Sequence, residues 1–389
     1  MIAAAAQDAT APAQAPEALA IHDDFIARLK ARRAEFAALG QLPADVVEDL
    51  RKLGVYRALV ARRYGGDECS PMAFLEMVER LSQADGSVGW VASFGVSCMY
   101  LASLPEATLR QLYANGPDVI FAGALFPPQE AQRVAGGIQV SGRWKFGSGS
   151  TGADLIGVGV KLADADDGGL PRMAVIPAHK VTIEPNWDVI GLQGTGSHDL
   201  LVENVIVPEE WTFVRGGTPT IDSPLYRYPS MAFAAQVLAI VGLGVARAAL
   251  DTITQMAGGR ASITGAPTLA DRAYVQSEIA KSEAALRSAR AFFYEATQDA
   301  WATLEAGETL SVKQIGLLRL ASTHAARAGA DVTQKAFTLS GTTGIYRDHA
   351  LAGQLQDALV VAQHAFLSEG TWQNAGKVLL GLQNAPGFP

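Results

Sequence analysis

The spacing of apolar side chains changes character twice along the chain. From Asp23 to about Tyr113 it is helical: IARLKARRAEFAAL is followed by PADVVEDLRKLG, where Pro43 suits a first helical turn and Gly54 a stop. The turn-rich YGGDECSP separates these helices from MAFLEMVERLSQADGSVGWVASFGVSCMYLASL, an apolar stretch expected to be buried and to line a pocket. Beyond NGPD the period falls to two. In GIQVSGRWKF, Ile138, Val140, Trp144 and Phe146 alternate with polar or small residues, as a half-buried strand demands. LIGVGVKL, RMAVIP and DLLVENVIVP read as further strands, separated by ADADDGG and GLQGTGSHD, so a β domain is expected from roughly Pro117 to Arg215.

After TPTIDSPLYRYPS the helical period returns and stays. Val275, Ile279, Ser282, Leu286, Ala289, Phe293, Ala296 and Ala300 keep a seven-residue repeat of mostly small or apolar side chains, the seam of a helix bundle. With MAFAAQVLAIVGLGVARAALDTITQMA before it and SVKQIGLLRLASTHAARAGADVTQKAFTL after it, four bundled helices are predicted. The expected fold class is α+β. A flexible tail (1–20) precedes a helical domain (21–116), a middle β-barrel or sandwich domain (117–224) and a C-terminal four-helix bundle (225–389).

Composition narrows the chemistry. With 49% hydrophobic and 18% charged residues, the chain reads as an ordinary globular protein. Two cysteines, Cys69 and Cys98, rule out a disulfide framework and a four-thiolate metal site, and the six histidines have no pair at helical metal-binding spacing, so no metal is expected. A net charge of −8 argues against a nucleic-acid partner. The opening MIAAAAQDATAPAQAPEALA lacks the charge and compact apolar run of a signal peptide, and no later segment reads as a membrane span. A cytoplasmic protein is expected.

Several local motifs, taken in order, resemble the acyl-CoA dehydrogenase superfamily over nearly the whole chain: YGG (Tyr64–Gly66), QADGSVGW (Gln83–Trp90), GRWKFGSG (Gly142–Gly149), GLQGTGSHDLLVENVIVP (Gly191–Pro208) and GLGVARAALD (Gly242–Asp251). Read alone, GRWKFGSGS is a strand-ending turn, GLQGTGSHD a tight β-turn and SGTTGIY a glycine helix cap. The resemblance gives them further roles. It implies that Leu125, Trp144, Gly147, Ser148, Thr195, Gly196 and Ser197 lie about a flavin, with Ser148 bonded to the reactive flavin nitrogen. Gly341 and Arg260 would reach the adenine and diphosphate parts, which implies FAD rather than FMN and a homotetramer or homodimer. Trp90, Phe94, Ser97, Phe126 and Trp372 flank these motifs and are candidate substrate contacts, although core packing explains aromatic residues equally well.

Near the C-terminus stands HAFLSEGTWQNAG, with His364 and Glu369 five residues apart. In the dehydrogenases an EGT triplet often holds the catalytic carboxylate. On an unbroken helix, however, five residues rotate a side chain by about 140°, so only one of the two could face a flavin. Counted from Asp357, the family's catalytic position falls on His364. QDALVVAQHAF also resembles the terminal motif of the flavin-dependent monooxygenase branch, where a histidine faces the flavin. The implied catalytic residues are therefore His364 and Ser148. The implied reaction is hydroxylation by O2 through a flavin C4a-hydroperoxide, with reduced flavin supplied by a separate reductase. Phenol hydroxylases of this branch often carry a second histidine on the early buried helix, which here reads GWVASFGVSCMY. Its absence, together with LSEGTWQNAG and the closing GFP, favours an indolic substrate such as indole-3-acetate or indole. The alternative is an acyl-CoA dehydrogenase with Glu369 as base.

Overall fold

The structure, a computed structural model, describes residues 21–163, 171–258 and 268–383. The first helices are α1 (Asp23–Ala31), α2 (Arg33–Leu39), α3 (Ala44–Leu53), α4 (Pro71–Ala84), α5 (Gly86–Ser93), α6 (Cys98–Leu101) and α7 (Glu106–Leu112). Gly40 and Gly54 end α2 and α3 at φ values of 66° and 88°, the left-handed conformation that glycine adopts without a Cβ clash. The long apolar stretch expected after YGGDECSP is not one helix. It breaks at Asp85, whose extended backbone ends α4 while its carboxylate accepts the amides of Ser87 and Val88 and starts α5.

The middle of the chain forms one seven-stranded mixed sheet in the order β5-β6-β2-β1-β3-β4-β7. Its strands are β1 (Phe121–Val134), β2 (Gly137–Trp144), β3 (Leu155–Leu162), β4 (Arg172–Pro177), β5 (Thr182–Glu184), β6 (Asp199–Val207) and β7 (Thr212–Val214). Four of these match the expected runs; β1, β5 and β7 add to them. The start of β1 runs parallel to β3, its end runs antiparallel to β2, and its register with β3 shifts between Ala124 and Gln129, across the cis Phe126–Pro127 bond. The two prolines of FAGALFPPQEAQRV interrupt the alternation, so only the strand partners reveal this segment as β. Within this β domain, β1 links the two halves of the sheet. Ile138, Val140 and Trp144 of β2 share a core with Ile156, Val158 and Val160 of β3.

The C-terminal helices are α8 (Pro224–Arg227), α9 (Ser230–Gly258), α10 (Ala273–Glu305), α11 (Val312–Leu339), α12 (Ala350–Ala362) and α13 (Glu369–Leu379). The four helices α9 to α12 form the bundle, with α4 against α9 and α13 against α11. All the α10 seam residues named above are buried except Ile279, which is partly covered. Contrary to the sequence expectation, α9 is long and apolar enough to cross a membrane by length and composition. Its most apolar window is 94% buried against protein, so its composition is that of a central core helix.

A second correction sets the geometry of the site. The helix bearing His364 is broken: α12 stops at Ala362, a single 3-10 turn covers Ala365–Leu367, and α13 starts at Glu369. His364 and Glu369 are therefore not related by the rotation of one continuous helix.

Candidate active site

Three segments meet where the sequence places the chemistry. The first is α5, all of whose residues are buried; it presents the indole N–H of Trp90 to Ser148 Oγ at 3.2 Å. The second and third are the 146–150 and 192–198 loops. They are tied together by Gly147 N–H to the His198 carbonyl and Gly149 N–H to the Thr195 carbonyl, both 2.9 Å. Gly196 sits at φ 57°, which a side chain would strain, and donates its amide to the Gly40 carbonyl.

Within the loops the hydroxyls form a directed chain. Ser148 Oγ lies 2.6 Å from Ser197 Oγ, which lies 2.7 Å from Thr195 Oγ1, and Thr195 donates to the Leu192 carbonyl at 2.8 Å. Indole N–H only donates and a carbonyl only accepts, so the protons run from Trp90 through Ser148, Ser197 and Thr195 to Leu192. Ser148 is thereby fixed from two sides. The next hydroxyl in the same loop, Ser150 Oγ, is buried with no hydrogen-bond partner. A buried hydroxyl seldom stays unpaired without a reason, and a polar heteroaromatic ring laid on this loop would satisfy it. The donor set therefore fits a flavin.

His364 is held differently. Its backbone is extended at the α12 break, and Nδ1 accepts the Phe366 amide at 3.2 Å, which leaves the proton of the neutral ring on Nε2. Its ring meets those of Trp90 at 5.8 Å and Phe366 at 5.2 Å, edge to face. Burial lowers its pKa to about 4, so it is a neutral N–H donor at ordinary pH. On the other side of Phe366, the Arg319 guanidinium of α11 stands 5.6 Å from the ring centroid. Arg319 is only 6% exposed, and burial pulls its pKa down to about 10.

Trp90, Ser148, Thr195, Ser197 and His364 thus converge, with Gly147 and Gly196 shaping the loops. Phe94 and Ser97 lie on the turn after α5, half-buried and buried. Others stand apart. The Trp144 side chain is wholly buried in the β core with its N–H on the Gly159 carbonyl, so it offers no surface to a cofactor. Leu125 sits at the β1 irregularity, where its carbonyl leaves no room for a Cβ on Gly159, and Phe126 beside it is 59% exposed. Trp372 packs edge-on against His324 rather than His364. Gly341 is exposed just beyond α11 at φ 59°. Arg260 lies outside the described residues. Glu369 is exposed in the first turn of α13, where a carboxylate complements the helix dipole.

Sequence reasoning missed Phe366, Arg319 and the Asp85 cap. Arg319 had a visible signal as a lone cation within the apolar run IGLLRLAS.

Comparison with known proteins assigns the chain a family. The family model described as acyl-CoA dehydrogenase, N-terminal domain, matches residues 20–114, and that described as acyl-CoA dehydrogenase, C-terminal domain, matches 236–369. The chain is 54% identical over 383 residues to an indole-3-acetate monooxygenase of Pseudomonas putida, covering 98% of both chains. It is 27% identical to the oxygenase subunit HsaA of a flavin-dependent monooxygenase of Rhodococcus jostii, covering 88% of this chain and 92% of that one. The crystal structure of 3-HSA hydroxylase from Rhodococcus sp. RHA1 superposes with a TM-score of 0.86 at 26% identity, over 93% of this chain and 96% of that one.

Proposed function

Since the chain belongs to the acyl-CoA dehydrogenase superfamily, in its flavin-dependent monooxygenase branch, we propose that it is the oxygenase component of a two-component system acting on an indolic acid of the indole-3-acetate kind. Reduced FAD comes from a separate reductase, and the working form is a homotetramer or homodimer. The observation that carries this is a neutral histidine at the family's catalytic position, edge-on to Trp90, whose N–H holds Ser148.

Bound reduced flavin supplies the electrons that activate O2 for transfer to an electron-rich ring. Ser148 and Ser150 would hold the flavin ring by hydrogen bonds, with Ser197 and Thr195 fixing the orientation of Ser148. His364 has Nδ1 occupied and is too desolvated to charge, so it acts first as an Nε2–H donor to the oxygen being transferred. Trp90 and Phe366 offer aromatic surfaces to the substrate ring. The ring-lined corner limits water at His364, which protects oxygen transfer from a wasteful side reaction. Arg319 supplies a cation for the substrate carboxylate. The exposed Ile345 and Tyr346, each 66% accessible beside Gly341, suit a subunit contact.

The test gives the purified protein chemically reduced flavin, O2 and either indole-3-acetate or indole, and follows oxygenated product by mass. Both substrates are expected to react, and Arg319→Met is expected to raise KM for indole-3-acetate by roughly 10-fold while leaving indole unchanged. No oxygenated product, together with reduction of bound FAD by an acyl-CoA, would establish the dehydrogenase reading instead. Equal effects of Arg319→Met on both substrates would remove the carboxylate assignment.

A further inference from the structure

A buried carboxylate pair lies behind the site, and its contacts reach two of the three segments that build it, α5 and the 192–198 loop, from the helix that leads to His364. Asp357 of α12 accepts the Leu192 amide on Oδ1 at 2.6 Å, and the Gly86 amide also bonds to its carboxyl. Leu192 begins the turn that carries Thr195 and Ser197, and its carbonyl accepts the Thr195 hydroxyl. Gly86 begins α5, the helix that carries Trp90, and the preceding Asp85 caps that helix from the other side. Asp357 itself lies seven residues before His364, on the helix whose end sets that ring.

The approach is close enough to exclude any side chain at the two glycines. A Cβ on Gly86 would lie 2.6 Å from Asp357 Oδ2, and a Cβ on Gly191 would lie 2.3 Å from the Gln356 carbonyl. A further bond, from Gly194 N–H to Ser87 Oγ at 3.0 Å, ties the hydroxyl loop to α5 directly.

We propose that Asp357, paired with Asp85, is a positioning residue: one carboxyl clamps the α5 amide, the Leu192 amide and α12, and so fixes Trp90, the Ser197–Thr195 hydroxyls and His364 relative to one another.

The charged groups facing Asp357 are Asp85, at the junction of α4 and α5, and Arg33 of α2, which lies 3.8 Å from Asp85. Burial and the Asp85 charge both push the Asp357 proton affinity up, while Arg33 and the two amides oppose them. A single arginine does not balance two buried carboxylates, so the pair works with one proton bound. Losing that proton places like charges together at the junction. The clamp therefore loosens as pH rises past neutrality. Asp357→Asn keeps an oxygen for the Leu192 amide and has nothing to titrate, whereas Asp357→Ala removes the clamp.

The experiment uses the full chain with chemically reduced FAD. It reads the product formed per O2 consumed between pH 6 and 9, and the amide hydrogen exchange of segments 86–90 and 191–197. The kinetic arm rests on the proposed function; the exchange arm does not. In the parent protein, coupling is expected to fall as pH rises. Asp357→Asn is expected to show a flat profile with slow exchange at 191–197, the segment whose amide keeps its acceptor. Asp357→Ala is expected to remain folded by far-UV circular dichroism, to couple several-fold less well at every pH, and to exchange faster in both segments. Unchanged exchange in Asp357→Ala, or a pH profile in Asp357→Asn matching the parent, would overturn the clamp. Faster exchange in Asp357→Ala with no oxygenation by the parent would sustain the clamp and overturn the proposed function.

Discussion

The serine side and the histidine side of the site are built by opposite means. Ser148 stands between the Trp90 N–H and Ser197 Oγ in a loop whose backbone is bonded to the 192–198 turn on both flanks. Among the described residues the His364 ring accepts one hydrogen bond, from an amide two residues away, and otherwise meets aromatic edges. The first arrangement fixes a hydroxyl by geometry and keeps it polar. The second fixes a ring by packing and strips it of much of its water. Hydrogen bonds give Ser148 direction, while desolvation gives His364 its protonation state. The difference separates two tasks: holding a polar cofactor ring in register, and moving a proton where water is excluded.

The largest effect that would break this comparison is loss of the imidazole. His364→Ala is expected to lower product formation by roughly 100-fold or more, the range in which a positioned proton donor contributes. Glu369→Gln, at an exposed helix start, is expected to change it less than about 2-fold. Product per unit time under saturating reduced flavin measures both, and the opposite order would move the chemistry to Glu369.

The order of the elements was largely legible in the sequence, because periods of 3.6 and 2 follow directly from which faces are buried. The α10 seam and four of the seven strands appear where the alternation predicts them. β1 was not legible, since Pro127 and Pro128 break its pattern and only its partners β2 and β3 hold it as a strand. Ser148, Thr195, Ser197 and His364 are visible as motif residues, and the count from Asp357 favours His364, but the exclusion of a shared face with Glu369 assumes a continuous helix that the structure breaks at Gln363–Ser368. What separates His364 from Glu369 is burial, which depends on contacts distant in sequence. Trp144 shows the converse: its place in GRWKFGSG suggested the flavin, while strand alternation sends its ring inward.

An intermediate effect concerns pH and sharpens the contrast, because the imidazole titrates in this range and the hydroxyls do not. His364 has a folded pKa of about 4 against an ordinary value of 6.5. Between those values the unfolded chain binds the proton and the folded one does not, so stability rises with pH across that window. The contribution is fully present above about 6.5 and is lost as pH falls toward about 4. His364→Gln cannot titrate. Urea unfolding at pH 7 and pH 5 is expected to show the parent losing stability relative to this variant on acidification. Asp357 works in the opposite sense, since its raised pKa makes stability fall as pH rises above the ordinary carboxyl value, so it must be left intact in both proteins. For the same reason, kcat/KM should show no acidic limb near pH 6.5 from this histidine.

The smallest effect tests the residue that belongs to both sides. Trp90 touches Ser148 through its N–H and His364 through its ring. Trp90→Phe keeps an aromatic ring, although a smaller one, and removes the donor. Ser148 then loses one of two anchors, while its bond to Ser197 still restricts the hydroxyl. A neutral buried hydrogen bond contributes about 0.5–1.5 kcal/mol, so a roughly 2- to 10-fold weaker hold on reduced flavin is expected. If the N–H matters only to the serine side, the whole loss appears in flavin affinity, and the variant recovers parent rates at high flavin. A rate defect that persists at saturating flavin would place the disturbance on the histidine side instead, through the lost ring edge. Titrating the variant with reduced flavin while measuring product separates the two, and so decides whether Trp90 acts as a donor to Ser148 or as packing for His364.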